Sequence, residues 1–414
     1  MRRFDLDTWE EILLTITRNK TRSFLTAFGI FWGVFMLIAL MGGAKGLQQM
    51  LSRQFEGFAT NSGFLGANKT SKAYKGFQQG RFWDLENLDV ERIRKNVDEV
   101  DIVTPTLARW GINAVYQDKK ISGTLKGLYP EYGKIEEPDI VMGRFINDMD
   151  IRDQRKVCVI GKRIYETLFP GGENPCGRYI EVNGIYYQII GVSMANGNIS
   201  IQGRSETTVT IPFSTMQNNY NFGNKIQLLC YTAKKGYSIS EVEEKIGEVV
   251  KKAHFIHPED EQALIQVNAE AMFSMIDNLF SGIRVLGWMV GLGTLLAGAI
   301  GVSNIMMVTV RERTTEIGIR RAIGAKPNDI LMQILSESIV LTIIAGMTGL
   351  SFAVFLLDIM EQVVSTPTEP AHFLISFWQA IGAGILLILL GLLAGLAPAY
   401  RAMAIKPIEA IRDE

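Results

Sequence analysis

The residues best suited to act on a partner lie in one charged segment. It reads Val310-Arg-Glu312-Arg313-Thr-Thr-Glu316-Ile317-Gly318-Ile-Arg320-Arg321-Ala322-Ile-Gly324-Ala325-Lys-Pro-Asn-Asp329-Ile. A short helix here projects Glu316, Ile317, Arg320 and Arg321, an apolar knob flanked by charges. Gly324 can end that helix in a left-handed cap with Pro327 just beyond, and Asn328 or Asp329 can cap the next helix. Such a projection suits docking into a groove on another protein. Read from the residues alone, it equally suits anchoring at a membrane surface through Arg320 and Arg321.

Other chemistries find no support. The sequence contains no GxxxxGK[ST], no HExxH and no GxSxG, so no P-loop, zincin site or nucleophile elbow is expected. His254 and His257 stand three apart beside Glu259 and Asp260, but with His372 they form no credible metal set. Cys158, Cys176 and Cys230 include no CxxC pair and read as three isolated buried thiols, one disulfide plus a free thiol being the other arrangement. The expectation is therefore no catalytic, cofactor or metal site in the chain itself. With 42 Lys and Arg against 43 Asp and Glu, the charge gives no reason to expect nucleic acid as a partner.

The elements that position this loop are membrane spans. The mean hydropathy is positive although 21% of residues are charged, which signals apolar spans joined to an ordinary polar domain. Four stretches reach the required length of about 20 residues. They run from Phe24 to Ala44, Val285 to Val310, Ser338 to Leu357 and Phe373 to Tyr400, and none contains an Asp, Glu or Arg. Lys and Arg concentrate before the first span, in the 311–329 loop and in the tail, whereas the loop from Asp358 to His372 carries neither. Both termini and the 311–329 loop are therefore expected on the cytoplasmic side. Trp288 and Trp378 then fall near the outer interface and Tyr400 near the inner one. With no proton-relay residue inside the spans, an ion-driven carrier is disfavoured. Gly287 and Gly291, and Gly391 and Gly395, are spaced for close helix contacts within one chain or between two. Leu6, Trp9, Ile12, Leu13 and Ile16 form an apolar stripe, either on the inner membrane face or on an ordinary cytoplasmic helix. No signal-peptide cleavage pattern precedes the first span, so it is expected to stay as an anchor.

The fold class is thus an α-helical membrane protein with four transmembrane helices and a large α+β extracytoplasmic domain inserted between helices 1 and 2. The boundaries read as follows: cytoplasmic segment 1–22, span 23–44, outer domain 45–282, span 283–310, coupling loop 311–329, span 330–357, outer loop 358–372, span 373–400 and tail 401–414. In the outer domain, Tyr179 to Ile190 reads as a hairpin turning at Asn183-Gly184. Residues 157–160, 207–211, 226–232 and 263–267 read as short strands. A helix starts at Ser240, with Glu243 completing a capping box. Met194 to Ser205 reads as a flexible loop. Leu47, Leu51, Phe55 and Phe58, and Met272 to Phe280, suggest helices that continue from the spans as a stalk.

The 310–330 segment resembles the ERTxEIGIRRAxGA…DI signature of MacB/FtsX-superfamily permeases. Asn19-Lys-Thr-Arg22-Ser-Phe is similar to that family's entry to span one, Gly143-Arg144-Phe145 to its GRxF element, and Pro398-Ala-Tyr-Arg401…Pro407-Ile-Glu409 to its tail. The resemblance implies a permease subunit of an ABC transporter, with both termini in the cytoplasm of an inner-membrane protein. It implies a partner ATPase that holds the ATP-Mg, a second permease protomer, identical or not, and motion relayed to the outer domain. It assigns coupling to Glu312, Arg313, Glu316, Ile317, Gly318, Arg320, Arg321 and Gly324. A periplasmic adaptor and outer-membrane channel are further expected partners. Efflux of peptides, drugs or other products is the expected role, with LolC/LolE-type lipoprotein release or regulation of an extracytoplasmic hydrolase as alternatives.

Overall fold

The structure is a computed structural model describing residues 20–54, 57–194, 200–365, 372–373 and 376–406. The stripe from Leu6 to Ile16, Phe55 and the tail from Pro407 lie outside the described residues, as do parts of the 194–205 and 358–372 loops. The chain opens with α1 (Lys20–Gln54), β1 (Ser62–Ala67), β2 (Leu85–Glu86), α2 (Asn87–Asn96), β3 (Val100–Tyr116), β4 (Lys119–Leu128), β5 (Asp139–Gly143) and α3 (Asp148–Arg152). Next come β6 (Val157–Gly161), α4 (Lys162–Leu168), β7 (Tyr179–Val182), β8 (Ile185–Met194), β9 (Thr208–Pro212) and α5 (Phe213–Asn219). Then follow β10 (Lys225–Ile226), β11 (Leu228–Ala233), α6 (Ile239–Ala253), β12 (Leu264–Asn268), α7 (Ala269–Glu312), α8 (Thr314–Ala322), α9 (Pro327–Val364) and α10 (Phe377–Met403). These divide into a unit spanning Leu51–Asp277 and a unit formed by the residues before and after it.

In the helical unit, α1, α7, α9 and α10 are each long and apolar enough to cross a membrane. The apolar windows lie inside longer helices. The 44 residues of α7 would reach about 66 Å at 1.5 Å each, twice a hydrocarbon core of about 30 Å. Length and apolarity mark where a helix can sit in lipid; they do not mark where it stops. The core joins Ile30, Val34 and Leu37 of α1 to Leu295 and Val302 of α7 and to residues of α9 and α10. The close glycine spacings serve contacts within the chain. A Cβ on Gly291 would lie 2.9 Å from the Cβ of Leu37, and one on Gly391 would lie 3.0 Å from the Cα of Ile339.

The α+β unit is built on a ten-stranded mixed sheet in the order β12-β1-β11-β3-β4-β9-β6-β8-β5, with β7 pairing β3 and β8 beside that path. β3 is 17 residues long and serves two half-sheets. Its first part, to Thr106, pairs β11, and its second part, from Leu107, pairs β4. The β3–β4 register shifts between Trp110 and Ile112, where Gly111 takes a positive φ of 69° that glycine adopts without strain. The Asn183-Gly184 turn is as expected: Val182 pairs Ile185 and both turn residues have positive φ, the type I′ geometry. The helix expected from Ser240 begins earlier. Its cap is Ser238, whose hydroxyl accepts from the Glu241 amide at 3.3 Å, while Ser240 and Glu243 instead accept from Asn268. Ile239, Val242, Ile246 and Val250 form its buried stripe. Cys158 and Cys230 are buried and Cys176 is partly so, all as free thiols.

Candidate coupling site

The loop of the sequence reading is a nine-residue helix, α8, held between α7 and α9. Its C-terminus is closed by a pair of backbone bonds, Gly324 to the Arg321 carbonyl (3.2 Å) and Ala325 to the Arg320 carbonyl (3.0 Å). That pattern needs a left-handed residue, and Gly324 supplies it at φ 109°. Pro327 then opens α9, and the Asp329 carboxylate accepts from the Lys326 amide at 3.2 Å.

Three arginines tie α8 and its entry to neighbouring helices. Arg313 pairs with Glu337 of α9 at 3.3 Å, Arg320 donates to Gln333 at 3.0 Å, and Arg321 donates to the carbonyls of Met403, the last residue of α10, and of Ile405 just beyond it. The last contact also places a cation where the α10 carbonyls lack helical partners. Arg320 additionally pairs with Glu316 at 2.8 Å one turn away. Glu337 is 4% exposed, ten residues into α9, and the sequence reading did not single it out. The signal was available: it is the sole carboxylate between Asp329 and Asp358.

One expectation is corrected. Ile317 is not a projecting knob; it is 6% exposed and lies in the helical core with Val310, Ile330 and Ala402. The phase of α8 is set by Arg313, Ile317 and Arg321, which recur four apart and face the bundle. Ile319 and Ile323 therefore turn outward, 46% and 83% exposed, alongside exposed Glu312 and Glu316. Gly318 is buried under the same face.

In the α+β unit the Gly143-Arg144-Phe145 element has a structural role. Gly143 has φ 77°, and a Cβ there would sit 2.1 Å from the Ile190 carbonyl oxygen. Arg144 grips Asp150 with both terminal nitrogens (2.6 and 3.0 Å), and Asp150 also accepts from the Asn147 amide at 3.1 Å. Burial works to raise the Asp150 pKa, but the Arg144 and Asn147 hydrogen bonds outweigh it and hold the carboxyl below its usual range. His254 is committed to Asp89, 2.7 Å away, and His257 packs edge-on against Tyr74.

Comparison with known proteins agrees with this architecture. Residues 23–249 match the family model of the MacB-like periplasmic core domain, and residues 288–407 match that of the FtsX-like permease C-terminal region. The chain belongs to the MacB/FtsX family of ABC-transporter permeases. Among MacB relatives, the macrolide export ATP-binding/permease protein MacB of Bdellovibrio bacteriovorus is 27% identical over 97% of this chain and 60% of its own length. The MacB of Chlorobium phaeobacteroides is 30% identical over 97% and 60%. The chain thus spans about 60% of the length of these curated MacB relatives. The periplasmic region of MacB from Actinobacillus actinomycetemcomitans aligns over 54% of the chain and 96% of that structure, at 20% identity and a TM-score of 0.43. Four apolar helices and MacB/FtsX membership make this a multi-pass protein of the inner membrane.

Proposed function

We propose that this chain is the permease subunit of an ABC exporter, with ATP hydrolysed by a partner subunit that docks on the outward face of α8. The observation that carries the reading is the division of α8 into two faces. One is bonded to α9 and to the end of α10 through Arg313, Arg320 and Arg321. The other exposes Ile319 and Ile323 between charges. A partner pressing on the exposed face would move helices rather than a loose loop, because the anchoring bonds are charge-assisted and partly shielded from water. No P-loop motif occurs in these 414 residues, so the ATP-Mg would be held by a domain outside them. The Lys and Arg distribution supports a cytoplasmic α8 and termini, with the α+β unit outside. Two such permeases, identical or not, would convert the closing of two ATPases into movement of the outer domains, in concert with an adaptor and outer-membrane channel. The relatives' names, which speak of macrolide export and pyoverdine export, favour an export role.

The test is a pull-down of the co-expressed ATPase. Ile319→Asp and Ile323→Asp each place a charge on the docking face and should lower association by orders of magnitude, with membrane insertion intact. Lys235→Asp in the α+β unit should bind as wild type. Full association in the Ile319→Asp, Ile323→Asp double variant would remove α8 from the interface.

A further inference from the structure

The segment 68–83, between β1 and β2, has no role in the reading above. It holds four cations, Lys69, Lys72, Lys75 and Arg81, and no carboxylate. Aromatic rings set the positions of three of them. The Lys69 ammonium stands 4.7 Å from the centre of the Phe82 ring, Arg81 stands 4.1 Å from Phe77, and Lys75 stands 5.6 Å from Phe255. Phe77 and Phe255 stack at 6.2 Å. Phe82 is 79% exposed, and Phe77 and Phe255 are exposed by more than two-fifths.

This surface is rigidly made although it lies outside the sheet. The Thr70 hydroxyl accepts from the Arg81 amide, and Tyr74 and Phe77 exchange two backbone bonds. The buried Asp260 carboxylate holds the amides of Ser71 and Lys72 at 2.7 and 3.0 Å. Lys75 and Phe255 both have positive φ, 44° and 53°, which is costly for such side chains and directs them to the same cluster. The nearby acids are already engaged. Glu259 pairs with Lys72, Asp84 with Lys225, and Asp89 with Arg92 and His254. Among the described residues, Lys69, Lys75 and Arg81 form no ion pair.

We propose that this cation–aromatic surface docks an acidic segment of an extracytoplasmic protein. Preorganised aromatic and arginine side chains are the types that dominate protein interfaces, and the unpaired cations select negative charge. The surface adjoins the end of the β1–β12 pair where Ala67 meets Leu264, and its uncompensated cations favour an acidic polypeptide. The proposal rests on the reading that the α+β unit is extracytoplasmic.

The test uses the full-length chain in its native cells, with p-benzoylphenylalanine in place of Phe82 and the cross-linked peptide sequenced. The expected product is an extracytoplasmic protein joined through a net acidic segment. Its yield should fall about fivefold or more in a Lys69→Gln, Lys75→Gln background and likewise when salt is raised from about 0.05 to 0.5 M in spheroplasts. Both lysines are exposed, so that background keeps the fold. A cross-link to lipid, to a second copy of this chain or to a neutral or basic segment would overturn the proposal, as would no cross-link or a yield indifferent to charge. Impermeant thiol labelling of Cys176 in the same cells reports separately whether the unit lies outside.

Discussion

Arg321 of α8 donates to the carbonyl oxygen of Met403, in the last turn of α10, at 2.9 Å. The same guanidinium nitrogen also reaches Ile405. A residue of the motif thus closes the end of the fourth membrane helix. Arg321→Ala should cost about 1.5–3 kcal/mol, the usual range for hydrogen bonds to a charged group. Arg321→Lys should recover part of this, since one nitrogen makes both bonds and an ammonium that reaches the same point could donate to both carbonyls. Thermal unfolding in detergent reads this out, and an unchanged midpoint for Arg321→Ala would show the anchor to be dispensable.

Gly349 of α9 packs where a Cβ would fall 2.5 Å from the Phe31 carbonyl oxygen of α1. A backbone atom cannot yield as a side-chain tip can. Gly349→Ala should therefore destabilise by about 1–3 kcal/mol through overpacking. Gly384→Ala in α10, where nothing lies within 4 Å, should be neutral or stabilising by up to about 1 kcal/mol. Equal effects in the two variants would contradict the packing.

The Arg144–Asp150 pair makes a pH-dependent prediction. The folded pKa of Asp150 lies below its unfolded value, so its stabilisation is complete above about 3.9 and is lost as pH falls through the folded value. Asp150→Asn should lower stability by about 1–3 kcal/mol at pH 7, and the gap to wild type should narrow below about pH 4. A gap independent of pH between 7 and 3 would show that charge is not the cause.

Burial raises the pKa of the Cys158, Cys176 and Cys230 thiols, most strongly for Cys158 and Cys230. In cells permeabilised only at any outer membrane, an impermeant maleimide should label Cys176 slowly without denaturant, and all three once unfolded. Reaction of the unfolded unit only after inner-membrane lysis would reverse the proposed orientation.

The sequence made some of this legible. The spans could be read because apolar length is a local property, and the Asn183-Gly184 hairpin because its turn demands particular backbone angles. The phase of α8 could not. Ile317, Ile319 and Ile323 are chemically alike, and only the partners of Arg313 and Arg321, Glu337 and Met403, decide which of them faces in. Those partners lie 24 and 82 residues away. The cap of α6 was misplaced for a related reason. Ser238 and Ser240 can both cap, and Asn268 from a distant strand claims the second. The surface around Phe255 joins it to Phe77 and Lys75, about 180 residues away in sequence, so its cations could be counted but its shape could not be read.

The length of β3 bears on how the protein can be divided. One strand is the shared edge of both half-sheets, passing from β11 to β4 between Thr106 and Leu107. A fragment cut there would open two unpaired backbone edges at once, each able to recruit a neighbouring chain. Expression of either half alone should yield aggregates, whereas the whole of 51–277 leaves β3 paired with both β11 and β4.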